Sequence, residues 1–292
     1  MVDKVFANQL GQNMEVYIDD MLVKSKKRTS HVEDLRETFT TMRKCNLRLN
    51  LEKCAFGVFG EKFLGFMVTQ RGIEANPTKI KAVMEMESPK CIRDVQKLTG
   101  RLAALSRFPS KSGDKNLPFF KALRNAKNFE WTDKCQKAFE GLKKYLVNPP
   151  LLTKPEPIEP LYLYLSSSKG AVSVVLIKEE NKIQKPVYYL SKVLNDAEMR
   201  YPVIERLALA LVSAARKLRP YFLSHPINVL TDQPLKNVLL KPDQSGRLVK
   251  WAVELSEYDI HFQPRTAIKA QALENFILEG VEIEENGKSS IE

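Results

Sequence analysis

The spacing of apolar residues changes character twice along the chain. Val2, Val5, Phe6 and Leu10 recur at helical intervals with nothing capping the start, so the first ten residues read as the end of a helix. Gly11-Gln12-Asn13 turns the chain into a short strand, Met14-Glu15-Val16-Tyr17-Ile18. After Asp19-Asp20 comes a second, Met21-Leu22-Val23. Ser30 and Glu33 have the spacing of a capping box ahead of Val32, Leu35, Phe39 and Met42, which predicts an amphipathic helix. Leu47, Leu49 and Leu51 alternate as a strand would, and Phe63 to Val68 predicts another that ends at Arg71-Gly72.

Asn76-Pro77 is a good N-cap and first-turn pair, and from there to Val147 the pattern is mostly helical. Ile80 and Met84 mark one helix, Val95, Leu98, Leu102 and Leu105 a second, and Phe139, Leu142 and Leu146 a third. Pro149, Pro150, Pro155, Pro157 and Pro160 then make a stiff linker, the clearest domain boundary in the sequence. Beyond it, strands are predicted at 161–165, 172–177, 187–190, 227–230 and 258–263. Helices are predicted at 203–218, 235–240, 248–255 and 267–278. Strands first, then helices and strands in alternation, indicate an α+β (α/β) fold with helices packed on a mixed sheet. The acidic tail 281–292 is expected to be disordered.

Composition narrows the class. With 43% hydrophobic and 28% charged residues the chain is an ordinary globular protein. No apolar run approaches the roughly 20 residues needed to span a bilayer, and the N-terminus has no apolar signal region. A cytosolic or nuclear protein with no membrane partner is expected. Cys45, Cys54, Cys91 and Cys135 are far apart, as are His31, His225 and His261, which argues against a zinc site or a disulfide framework.

The charge is unevenly divided. The net charge is +11, and residues 1–150 carry all of it, with 28 basic and 17 acidic side chains. Residues 151–292 balance at 18 of each. A surplus confined to one half is what a surface facing a polyanion needs, although a merely soluble basic face has the same arithmetic.

Asp19 and Asp20 are the main candidates for chemistry. Adjacent carboxylates at a strand-turn-strand junction repel each other, and a divalent cation resolves the conflict. An exposed Asp-Asp turn fits the same residues. The surrounding motifs decide between them. Tyr17-Ile18-Asp19-Asp20, Leu47 to Cys54, Phe63-Leu64-Gly65-Phe66, Gly72-Ile73 and Pro77-Thr78-Lys79-Ile80 resemble the reverse transcriptase of Gypsy-type long-terminal-repeat retrotransposons. In the second half, Pro186 to Lys192, Tyr201-Pro202, Leu230 to Leu235 and Gly246 to Trp251 resemble the tethered ribonuclease H domain of plant elements of that group.

That resemblance implies a partial polymerase palm over 1–75, a thumb and connection over 76–150, and a ribonuclease-H-like domain over 151–280. It makes Asp19 and Asp20 palm carboxylates for Mg²⁺ or Mn²⁺ and Lys53 a residue that assists the leaving group. Phe63, Leu64, Gly65 and Phe66 become the hairpin that grips the primer. Residues 77–127, with 12 basic and 4 acidic side chains, become a duplex-tracking segment that includes Lys97 and Arg101. The partner expected for residues 1–150 is an RNA–DNA hybrid or a DNA duplex.

The same resemblance exposes gaps. The fingers and the strand bearing a third palm carboxylate would precede Met1, so association with upstream polymerase segments is expected and metal binding here should be weak or absent. Of the four acids of a ribonuclease H centre, the first falls on Ser166, the second on Leu207, the third on Asp232 and the fourth on Asn275. Glu205 and Glu274 are offset from the required helix positions, because side chains one or two residues apart on a helix do not share a face. The expected protein is a reverse transcriptase fragment with a ribonuclease-H-like domain that has lost catalysis. A non-catalytic hybrid-binding module, a pseudogene product and an active piece of a larger polyprotein are the competing forms of that reading.

Overall fold

The computed structural model describes residues 2–18, 20–25, 27–58, 60–63, 65–69, 71–124, 129–240 and 246–265. The chain divides into two compact units, Met1–Gln70 and Arg71–Glu292.

The first unit opens with α1 (Val2–Val5), followed by an antiparallel hairpin of β1 (Met14–Tyr17) and β2 (Asp20–Val23) and by α2 (His31–Lys44). It ends with a second hairpin, β3 (Gly60–Phe63) and β4 (Phe66–Thr69). Phe6, Met14 and Met42 form its buried centre, with Val16, Met21, Phe39, Leu47 and Leu49 packed around them.

Three sequence expectations fail in this unit for local reasons. Phe63 to Val68 is not one strand: β3 ends at Phe63, Gly65 turns the chain at φ 79°, and β4 returns from Phe66. Ser30 ends a 3-10 turn, Arg28–Ser30, that runs straight into α2. Its backbone is already αR, and its hydroxyl donates back to the Lys27 carbonyl at 3.0 Å instead of capping the helix. Leu47, Leu49 and Leu51 do not form a strand. The Leu47 N–H closes the end of α2 on the Met42 carbonyl at 3.0 Å. The Asn50 side chain then accepts the Glu52 N–H at 3.2 Å and starts a 3-10 turn, Leu51–Lys53, that leaves Leu51 73% exposed.

The second unit begins with β5 (Gly72–Glu74) and four helices: α3 (Pro77–Met84), α4 (Ile92–Ala103), α5 (Ser112–Arg124) and α6 (Asp133–Val147). Asn76 caps α3 by accepting the Thr78 N–H at 2.9 Å, as its place before Pro77 predicts. Helix α5 was not legible from spacing, because Pro118 interrupts its pattern, yet it buries Phe119 and Ala122. The sheet follows: β6 (Leu161–Ser167), β7 (Ala171–Glu180), β8 (Ile183–Val193), β9 (Ile227–Leu230) and β10 (Ile260–Gln263), in the order β10-β9-β6-β7-β8. The β10–β9 and β9–β6 pairs are parallel, and β6–β7 and β7–β8 are antiparallel. Between the strands lie α7 (Val203–Lys217), α8 (Arg219–Ser224), α9 (Leu235–Leu240) and α10 (Gly246–Leu255).

Strand β7 shows why the sheet lies at the centre. Its residues from Ala171 to Lys178 are all buried, so both faces are covered. Val172, Val174 and Leu176 face the core that includes Leu207, Leu211 and Ala215 of α7. Ser173, one residue out of step, hydrogen-bonds to Ser191 at 2.7 Å, and Ser191 in turn accepts the Gly113 N–H of α5 at 2.9 Å. An alternating strand with helices on each side gives the run of apolar residues without a polar face. No described helix is long and apolar enough to cross a membrane.

Candidate functional site

The β1–β2 hairpin ends in the pair Tyr17 and Asp20. Tight hairpin turns use positive φ, and Ile18 supplies it with φ 57°. That is an uncommon conformation for a β-branched side chain, and Ile18 is also 71% exposed. Asp20 lies at the exposed start of β2, whereas Asp19 falls outside the described residues. Lys53 is exposed at the end of its 3-10 turn. The second hairpin closes on Phe63 and Phe66, both half-buried, with Gly65 at φ 79° in the turn. Leu64 lies outside the described residues.

The helical segment supplies a basic groove. On α4, Val95, Leu98 and Leu102 are buried, while Lys97 and Arg101, four residues apart, share the opposite face. They line a groove of about 500 Å³ with Thr78, Lys79, Ala82, Gly100 and Ala104. Arg101 is fixed there by donating from Nη1 to the Ala82 carbonyl at 2.5 Å. The Lys97 ammonium lies 3.8 Å from Asp94, an exposed pair of the kind that contributes little to stability and leaves the cation available. Lys79 was not singled out from the Pro77 to Ile80 motif or from the basic segment 77–127; its place in the groove follows from α3 packing against α4.

The ribonuclease-H-like positions are scattered in their environments. Ser166 is half-buried near the end of β6. Leu207 is 7% exposed and belongs to the apolar core. Asp232 is exposed just past β9, and its Oδ1 accepts the Arg265 backbone N–H at 3.0 Å. Glu205 pairs with Arg247 at 2.9 Å, and that guanidinium lies 4.0 Å over the Tyr201 ring. Asn275, Glu274 and the expected helix 267–278 lie outside the described residues, as does the tail 281–292. Among the described residues no group of three His, Cys, Asp or Glu side chains could hold a metal ion. Serine, leucine and one carboxylate already bound to an N–H do not make the donor set of a two-metal centre.

Residues 1–68 match the family of reverse transcriptases (RNA-dependent DNA polymerases), and residues 131–229 match the RNase H-like domain found in reverse transcriptase. The chain is 31% identical over 252 residues to the retrovirus-related Pol polyprotein from transposon 297 of Drosophila melanogaster, covering 85% of this chain and 23% of that protein. It is 29% identical over 272 residues to the one from transposon opus of the same fly, covering 89% and 27%. With the transposon Tf2-3 polyprotein of Schizosaccharomyces pombe it shares 26% over 276 residues, 91% of this chain and 21% of that one. The chain thus spans about a quarter of the length of these relatives. In fold it is similar to a foamy viral protease-reverse transcriptase in complex with an RNA/DNA hybrid (TM-score 0.80, 21% identity, 92% of this chain and 37% of that one). A second structure of that protein, with double-stranded DNA, gives a TM-score of 0.77 at 22% identity, over 92% of this chain and 48% of that one. Residues 1–68 are thus similar to reverse transcriptases and residues 131–229 to the RNase H-like domain found in them, and 85–91% of the chain aligns with one stretch of retrotransposon Pol polyproteins.

Proposed function

We propose that this chain is the stretch of a plant Gypsy-type Pol polyprotein that runs from the reverse transcriptase palm (1–75) through thumb and connection (76–150) into a ribonuclease-H-like domain (151–280). Its own contribution is to hold an RNA–DNA hybrid or DNA duplex without copying or cutting it. The observation that carries this reading is the placement of positive charge. The whole surplus of +11 lies in residues 1–150, and Lys97 and Arg101 project from one face of α4 into a groove with Lys79. Side chains of this kind neutralise phosphates in sequence and bind without regard to base identity.

Catalysis is a property of the longer polyprotein in this reading. Mg²⁺ or Mn²⁺ would supply two-ion stabilisation of the attacking and leaving oxygens when bound. Asp19 and Asp20 would meet such an ion in the palm, and Lys53 would stand by the leaving group. Upstream polymerase segments would complete the site around the two-stranded β1–β2 hairpin, where Tyr17 and Ile18 are exposed. In the second half, the burial of Leu207 supports loss of hybrid cleavage.

The test is fluorescence anisotropy of the full chain with a labelled hybrid across a salt series, run beside a primer-extension assay. Binding that falls steeply with salt, with no extension above an Asp19→Asn/Asp20→Asn control, is expected. Salt-independent binding, or extension that the control abolishes, would overturn the reading.

A further inference from the structure

The end of the sheet that carries Ser166 and Asp232 is bridged by a residue that neither charge pattern nor motif singles out. Strands β6 and β9 run parallel with Leu163 against Val229 and Tyr164 against Leu230. Ser166 and Asp232 therefore each lie two residues past the last pair. Strand β10 flanks β9 in parallel, with Gln263 against Leu230, and the chain leaves it through Pro264 to Arg265. There the Arg265 backbone N–H donates to Asp232 Oδ1 at 3.0 Å, and its Nη2 donates to the Leu165 carbonyl at 2.6 Å. One residue ties together the ends of β6, β9 and β10.

The guanidinium is set into the fold. Its Nε is buried without an acceptor among the described residues, so part of its hydration shell has been stripped away. A second arginine behaves alike. Arg206, the neighbour of Leu207 on α7, donates from Nη1 to the Ser168 carbonyl just past β6, and its Nε is buried in the same way. The sheet end thus carries two fixed cations where a ribonuclease H centre has carboxylates. A cation in a partly dehydrated site disfavours a second cation nearby. An aspartate oxygen already engaged by a backbone N–H is a poorer ligand as well.

We propose that Arg265 takes over the role of the metal at this sheet end: its backbone N–H holds Asp232 while its guanidinium holds the Leu165 carbonyl, so that it staples the three strand ends together and its charge keeps divalent cations out. The proposal rests on the ribonuclease-H-like reading of the domain. Arg265 is a positioning residue in it, and Asp232 is a structural acceptor. Arginine suits the task because its planar fork reaches a carbonyl while staying charged at every working pH.

The experiment uses the full chain in an Asp19→Asn/Asp20→Asn background, so that the palm pair takes up no ion. Five proteins are compared by thermal melting and by Mn²⁺ titration followed by electron paramagnetic resonance: the background itself, Ser166→Asp, Arg265→Ala, Arg265→Lys, and Ser166→Asp/Arg265→Ala. Arg265→Ala is expected to lower Tm by several degrees, and added Mg²⁺ should not restore it. Arg265→Lys, which keeps the charge and loses the fork, should recover part of the loss. Ser166→Asp alone should take up no more Mn²⁺ than the background, whereas the combined variant should bind at least tenfold more tightly. An unchanged Tm in Arg265→Ala overturns the staple. Equal Mn²⁺ affinity with and without Arg265 overturns the exclusion. Failure of the functional reading is a separate result, seen as a chain that binds no hybrid, a measurement that Arg265 does not enter.

Discussion

Ile73 and Leu152 exchange both of their backbone hydrogen bonds, at 2.8 Å from the Ile73 N–H and 3.0 Å from the Leu152 N–H. The proline-rich stretch after α6 therefore starts out pinned to β5. A residue later it is pinned again, by the Thr153 N–H on the Pro186 carbonyl of β8 at 2.8 Å.

That pairing predicts an intolerant glycine. Gly72 adopts φ 142°, and a Cβ there would sit 2.2 Å from the Leu152 carbonyl oxygen. Gly72→Ala should destabilise the chain by about 1–3 kcal/mol from backbone strain alone, with the backbone clash adding to it. Urea unfolding measures this, and a variant as stable as the parent would show that the β5–Leu152 approach is looser than described.

A second glycine reports on the docking of α5. A Cβ at Gly113 would lie 2.6 Å from Ser191 Oγ and 3.0 Å from Ala171 Cβ. Gly113→Ala should cost about 1–3 kcal/mol, as overpacking does. It should also speed amide exchange in α5 more than in α7, and uniform exchange would count against local loosening.

The groove makes a prediction about salt. Lys97→Ala/Arg101→Ala should weaken binding to a DNA duplex and reduce the slope of log K against log salt by about 1–2, since each phosphate contact contributes about 0.9. Equal losses for duplexes of different sequence are expected. A loss restricted to one sequence would point to base contacts instead.

Acid stability of the first unit should depend on Asp34. The Ser25 hydroxyl and the Asn13 amide both donate to its carboxylate and hold its pKa below the usual aspartate value, with His31 adding a smaller effect. A depressed folded-state pKa contributes stability above the unfolded value of about 3.9 and loses it as pH falls through the folded value. Ser25→Ala should therefore raise the Asp34 pKa and flatten the acid limb of the stability curve below about pH 4. Carboxyl-carbon NMR titration reads the first effect and melts at several pH values read the second.

The sequence was most informative where a local signal coincided with burial. Asn76 before Pro77 marks the start of α3, and the spacing of Val95, Leu98 and Leu102 marks the buried face of α4. It misled where a side chain had a nearer partner. Leu47, Leu49 and Leu51 alternate, but the Asn50 side chain turns the backbone before a strand can form. Helix α5 stayed hidden because Pro118 interrupts its apolar spacing, and Phe119 finds its stacking partner in Trp131, outside the helix. The same holds for the candidate site. The Asp19-Asp20 pair and the basic surplus were readable, whereas Lys79 joins the groove only once α3 meets α4, and Arg265 reaches Leu165 across 100 positions of sequence.

The seating of α5 on the sheet also has a mechanical consequence. Gly113 is bonded to Ser191, Tyr189 donates to the Arg107 carbonyl, and Asp114 accepts from Ser168 at the exit of β6. These ties join the segment that follows α4 to three separate points on the sheet, and a body held at three points cannot pivot. Hinging between that segment and the sheet would have to break all three ties at once, as a tripod rocks only when a foot lifts.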